Sequence, residues 1–214
     1  MSQMQNWESA AAAVKPMMEA RHAAREAVLK QQRLVIQTAS KCIKHIHRHQ
    51  LPEAHRLLNE AQALSEDARR RASEHPEVLY AGYIQDAEKE MVEAAALLAI
   101  VEGRDLPTME DLKVGVTSWL NGMGEAASEC RRYVLDQMRK GENEEAEKLL
   151  AVMDGIYEEL TGFDFPDSLT GGLRRTCDAL RAVIERTRSD LTLTHVQQEL
   201  ILELRRAKDG VNHV

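Results

Sequence analysis

Between Met91 and Val101 the chain is apolar at every position but one, and the exception is Glu93. Ten such residues belong in a protein core, where a carboxylate needs a cation or a proton beside it. Upstream stand Glu90 and Asp86, so on a helix the three acids fall on one stripe at i, i+4 and i+7. Like charges stacked in this way repel one another, and the segment is therefore the first place to look for chemistry.

Composition supports the helix. Only 4% of the 214 residues are aromatic and five are Pro, while Ala, Glu, Leu and Arg abound, so the expectation is an all-α fold in one domain spanning 1–214. Cys42, Cys130 and Cys177 are odd in number and form no CxxC pair, which argues against a disulfide framework or a zinc site and for a reducing cytoplasm. No basic-then-apolar signal opens the chain, and the Met91–Val101 run is too short and acidic to span a bilayer, so no membrane partner is expected. A net charge of −7 does not advertise a nucleic-acid binder, but it does not exclude a local basic surface.

Pro and Gly punctuate about seven helices. The first is expected to open with Pro16 in its first turn and run to about Gln50; the second covers roughly Glu53–Ala72; the third opens at His75-Pro76-Glu77, carries the acids and stops near Gly103. Thr108 and Asp111 form an acidic variant of a capping box for a short piece. A helix capped by Thr117 or Ser118 runs through Met138, and one capped by Asn143 ends before Gly162. Phe163–Gly172 reads as the longest irregular connection, followed by a helix over Leu173–Ser189 and an amphipathic tail over Leu193–Lys208.

The helix after Ser118 repeats the acidic theme, with Glu125 and Glu129 one turn apart among Gly122, Gly124, Ala126, Ala127 and Ser128. Small residues let a second helix approach closely. If that helix carries Asp86, Glu90 and Glu93, four or five carboxylates converge into a hard-oxygen cage suited to Mg²⁺ or Mn²⁺; otherwise these glutamates are solvated helix faces. Arg174, Asp178, Arg181, Glu185 and Arg188 share a stripe whose charges neutralise one another within the helix, or which binds phosphate through arginine forks. Among His45, His47 and His49 only the first and last share a face, and with Lys41, Lys44 and Arg48 they read as a basic helix C-terminus rather than a metal site.

Several separated blocks carry a family resemblance. Tyr80–Ala94 (YAGYIQDAEKEMVEA), Gly103–Pro107, Trp119–Gly122, Glu129–Tyr133, Phe165–Asp167, Leu169–Arg175 and Ile184–Thr192 occur in an order that resembles the translin superfamily, over about residues 25–193. The chain looks closest to archaeal-type members related to translin-associated factor X; residues 1–15 and 194–214 are peripheral to the match. The resemblance implies a seven-helix bundle of the translin-like α-α superhelix type, a hollow homo-oligomer that is typically an octamer, and single-stranded nucleic acid bound in its interior. Members with the factor-X acidic pattern are Mg²⁺-dependent endoribonucleases. Their Glu-x-x-Glu step matches Glu90 and Glu93, and their Asp-x-x-x-Glu step falls on Glu125 and Glu129, with Glu in place of the family's Asp at 125. The resemblance gives Asp86 no role, and spacing alone makes it an outer metal candidate.

Two functions follow. In the first, Glu90, Glu93, Glu125 and Glu129 hold Mg²⁺ or Mn²⁺ for hydrolysis of single-stranded RNA, with Lys41, Lys44, Arg174, Arg175 and Arg181 as phosphate contacts and rigid duplex excluded by the oligomer's interior. In the second, the chain shelters single-stranded RNA or DNA without cutting it. A scaffold with no nucleic-acid role is a third, weaker possibility.

Overall fold

Good helix formers fill nearly every turn of the chain, and the computed structural model, which describes residues 2–211 and side chains through Lys208, is helical with no strand among the described residues. In chain order the helices are α1 (Gln3–Ile46), α2 (Leu51–Ala72), α3 (Pro76–Leu79), α4 (Tyr83–Glu102), α5 (Met109–Leu112), α6 (Val116–Lys140), α7 (Asn143–Thr161), α8 (Asp167–Thr170) and α9 (Leu173–Val211). Six long helices form the bundle, and α3, α5 and α8 are single turns. None of them is long and apolar enough to cross a membrane.

Each expected helix is present, with its ends moved for identifiable reasons. α1 begins at Gln3 rather than at Pro16, because Ser2 and Gln5 form a capping box and the Ala-rich first turns tolerate the hydrogen bond lost at Pro16. The third expected helix is split: Gly82, at φ 90°, breaks α3 from α4. The box at Thr108 and Asp111 caps α5 as expected. α6 starts at Val116 because Ser118 is drawn into a tertiary hydrogen bond instead of capping the helix. α7 begins at Asn143 itself, whose amide donates to Gln198 on α9. The Phe163–Gly172 connection contains α8, and α9 runs unbroken into the tail, where the Thr192 and Thr194 hydroxyls donate to carbonyls one turn back.

α4 is the centre of the bundle. It packs against α1 and α2 on one side and α6 on the other, while α6 in turn carries α7 and α9. From Met91 onward nearly every α4 side chain except Glu93 is buried, with Met91, Leu97 and Leu98 among the largest in the core. Gly122 sets the α4–α6 distance: a Cβ there would lie 2.6 Å from Val92 Cβ and 2.7 Å from the Lys89 carbonyl oxygen. Gly124 admits α9 in the same way, against Thr176.

A second acid is buried more deeply than Glu93. The core stripe Ile84, Glu88, Met91, Ala95, Leu98 turns Glu88 inward, where it is 0% exposed. Its carboxylate takes a forked pair of bonds from the Arg69 guanidinium and further bonds from Gly115 N at 3.2 Å and Ser118 Oγ at 3.0 Å. Both oxygens are engaged, so this charge is structural and ties α2 and the start of α6 to α4.

Two stability outcomes follow, both read by chemical denaturation. Gly122→Ala forces α4 and α6 apart and lowers stability by about 1–3 kcal/mol, the usual range for overpacking. Glu88→Ala strands the Arg69 charge and costs about 3 kcal/mol, the lower end for a broken buried pair because Arg69 keeps some contact with water. A neutral result at either position would refute the corresponding contact.

Candidate functional site

The close approach at Gly122 brings the two acidic helices face to face. One carboxylate oxygen each from Glu90 and Glu93 on α4 and Glu125 on α6 lie within 4.8 Å of one another, all three side chains half-buried. Such crowding leaves its mark on their protonation. Burial, then the charges of Glu90, Glu125 and Glu129, push the Glu93 carboxyl up to about 8. Burial and the charge of Glu125 also raise Glu90.

The two remaining expected ligands stand apart from this trio. Glu129 lies one turn beyond Glu125, and its Oε1 accepts a 2.6 Å hydrogen bond from His47 Nε2. Asp86 is exposed one turn before Glu90, outside the trio, on the wall of a neighbouring cleft.

Three residues that matter here had no site role in the sequence reading. Lys89 Nζ donates to Glu125 Oε1 at 2.7 Å. Partial burial works to lower the ammonium's pKa, but the Glu125 bond and the charges of Glu125, Glu90 and Asp86 outweigh it and hold it above the ordinary value. His47 is 3% exposed at its side chain, with its ring against Tyr133, whose hydroxyl donates to the Ile46 carbonyl at 2.5 Å. Because a carboxylate only accepts, His47 Nε2 carries the proton toward Glu129; its buried Nδ1 has no partner among the described residues. His45 instead meets Gln50 at 2.6 Å. Glu88, the third, is structural as described above. Its place on the core stripe was a readable signal, whereas Lys89 and His47 reach their partners only through tertiary packing.

Beside the trio opens a cleft of about 600 Å³ whose walls include Gln85, Asp86, Lys89, Asn121, Glu125 and Arg175. Asn121 is fixed there by the Thr117 and Thr170 carbonyls and the Thr176 hydroxyl. Of the five expected phosphate contacts, Arg175 alone lines this cleft. Lys41 and Lys44 are exposed on the last turns of α1. Arg174 turns to Asp164 at 3.5 Å, and Arg181 lies 3.9 Å from Glu185 on its own helix, which is the intrahelical neutralisation the charge stripe allowed.

The donor set fits a hard divalent cation. Three carboxylate oxygens from two helices converge, and the Lys89 ammonium beside Glu125 offsets only part of their charge. Glu90, Glu93 and Glu125 are the residues that would hold it, with Glu129 in reserve on His47.

The raised Glu93 pKa has a definite sign in stability. Between about 4.5 and 8 the folded chain holds a proton that the unfolded chain has released, so stability is full below the lower value and falls as pH rises through the upper. In chelator, Glu93→Gln should therefore gain Tm over the parent at pH 8, by about 2–4 °C or more, and lose that advantage at pH 5. Parallel melting profiles across this pH range would rule out a protonated Glu93.

No protein-family model matches the chain. An uncharacterized protein of Methanocaldococcus jannaschii is 26% identical over 190 residues, or 88% of this chain and 84% of that protein. Among solved structures, AfC3PO superimposes with a TM-score of 0.80 at 37% identity, over 86% of this chain and 96% of its own, both alone and in complex with duplex RNA. Apo-NeC3PO, at 19% identity and a TM-score of 0.76 over 91% of this chain and 98% of its own, shares the fold. With 37% identity to AfC3PO over 86% of its length, the chain belongs to the translin superfamily, the C3PO proteins.

Proposed function

We propose that this chain is a divalent-metal-dependent endoribonuclease acting as one translin-like unit within a hollow homo-oligomer. The observation that carries the reading is the convergence of Glu90, Glu93 and Glu125 beside a polar cleft large enough for a nucleotide. Mg²⁺ or Mn²⁺ held there supplies positive charge to a phosphodiester and to its nucleophile. The chain's own part is to fix the ligands on two helices locked by Gly122, to restrain Glu129 through His47, and to guide the strand with Arg175. The longer side chain of Glu125, where the family has Asp, is held by Lys89.

Assembly has its own support. The first turns of α1 expose Met4, Trp7, Val14 and Met18, and the last turns of α9 expose Leu193, Val196, Leu200 and Leu204, both at three- and four-residue spacing. Among the described residues each stripe is an exposed helix face. An octamer is the size the resemblance implies. Light scattering that returned a monomer at micromolar concentration would remove the hollow-oligomer part of the reading.

RNA is the substrate class we favour, and single-stranded DNA a ligand. The duplex-RNA complex of AfC3PO argues against an interior closed to duplexes, so single- and double-stranded substrates belong in one assay. A second reading, a binding module that does not cut, is favoured by the engagement of Glu125 with Lys89 and of Glu129 with His47. The experiment is cleavage of end-labelled RNA in Mn²⁺, in EDTA, and by Glu93→Gln, with Tm measured in parallel. The nuclease reading expects cleavage that EDTA abolishes and that the substitution cuts by about 100-fold, together with a Mn²⁺-induced rise in Tm that Glu93→Gln loses. RNA retained but uncut under all conditions would establish the module instead.

A further inference from the structure

Lys89 faces two ways. Its ammonium donates to Glu125 at 2.7 Å, inside the acidic trio, yet its side chain is 30% exposed and forms part of the wall of the 600 Å³ cleft that also holds Arg175. A lysine stem has four rotatable carbons and a compact charge, so a turn about the side chain moves the ammonium from one setting to the other without moving α4. Glu125 is among the three carboxylates a divalent ion would take, and an ammonium 2.7 Å from its Oε1 competes with the ion for it. When the ion wins, repulsion drives the ammonium outward, and the cleft is the solvent-open side it already lines.

The cleft has a use for that charge. Asp86 and Asp167 stand on its wall, so a phosphodiester is repelled there except where cations offset them, and Arg175 alone leaves the balance negative. With Glu125, the third carboxylate on the wall, taken up by the ion, the displaced Lys89 and Arg175 set two cations against Asp86 and Asp167, which couples strand binding to ion binding. We propose, resting on the metal-dependent reading above, that Lys89 is a substrate-binding residue with two positions: it competes with the divalent ion for Glu125, and once displaced contacts a phosphate of the RNA strand beside Arg175. The coupling makes the cleft receptive to the strand when the acidic trio holds its ion.

Two measurements on the full chain test this, and both read binding rather than turnover. The first titrates Mn²⁺ alone into the parent protein and Lys89→Gln, followed by calorimetry. Removing the competitor should tighten Mn²⁺ by about tenfold; unchanged or weaker binding overturns the competition. The second measures anisotropy of a labelled phosphorothioate single-stranded RNA, which keeps every linkage charge and resists cleavage, over a salt series. In Mn²⁺ the log–log salt slope of Lys89→Gln should be shallower than the parent's by about 0.7, one phosphate contact on a single strand, and in EDTA the two slopes should coincide. Equal slopes in Mn²⁺, or a difference that persists in EDTA, overturns the two-position role. Lys89→Arg, which keeps the charge, should stay near the parent in the salt series. Lys89→Met, which keeps the stem, carries the same comparisons if the amide variant folds poorly. Mn²⁺ taken up by neither protein would defeat the metal reading itself, which separates that failure from one confined to Lys89.

Discussion

How near α4 and α6 can come to one another decides everything else about this molecule. Gly122 has no side chain, so the α6 backbone rests against Val92 and the Lys89 carbonyl, and Glu125 is carried to Glu90 and Glu93. Any larger residue at 122 would separate the helices and leave three ordinary surface glutamates. The same contact that completes the core therefore creates the repulsion within the acidic trio. Stability and site are coupled at one position.

The protein offsets that repulsion unevenly. Glu88, two residues before Glu90 and turned to the other side of α4, is fully buried and costs little because Arg69, Gly115 and Ser118 satisfy it. Glu93 has no such company, and its carboxyl is held in the neutral range by burial and by its acidic neighbours. Two acids on one helix thus have opposite fates: the satisfied one is architecture, and the frustrated one is available for chemistry. Lys89 and His47 engage the two α6 glutamates and divide the cluster, leaving Glu90 and Glu93 as the uncommitted pair.

Much of this was readable before any fold was known. The capping box at Thr108 and Asp111, the stop at Gly103, and the helical stripes of the acids depend on neighbours within one or two turns, and they appear as expected. Two of the misplaced ends share a cause, since Ser118 and Asn143 look like caps until a distant partner outbids the local backbone for their side chains. Arg174 and Arg181 illustrate the same limit for charge: their residue type suggests phosphate, and only their neighbours Asp164 and Glu185 show where they turn.

The amino-acid sequence by itself determined that the chain is helical, where its turns fall, and that acids line one face of each of two helices, because these follow from periodicity and from capping over a few residues. Tertiary structure alone decided which acids meet and what restrains them. Lys89 reaches Glu125 across 36 positions of chain and His47 reaches Glu129 across 82, and contacts of that span are set by how whole helices pack, which no local pattern encodes.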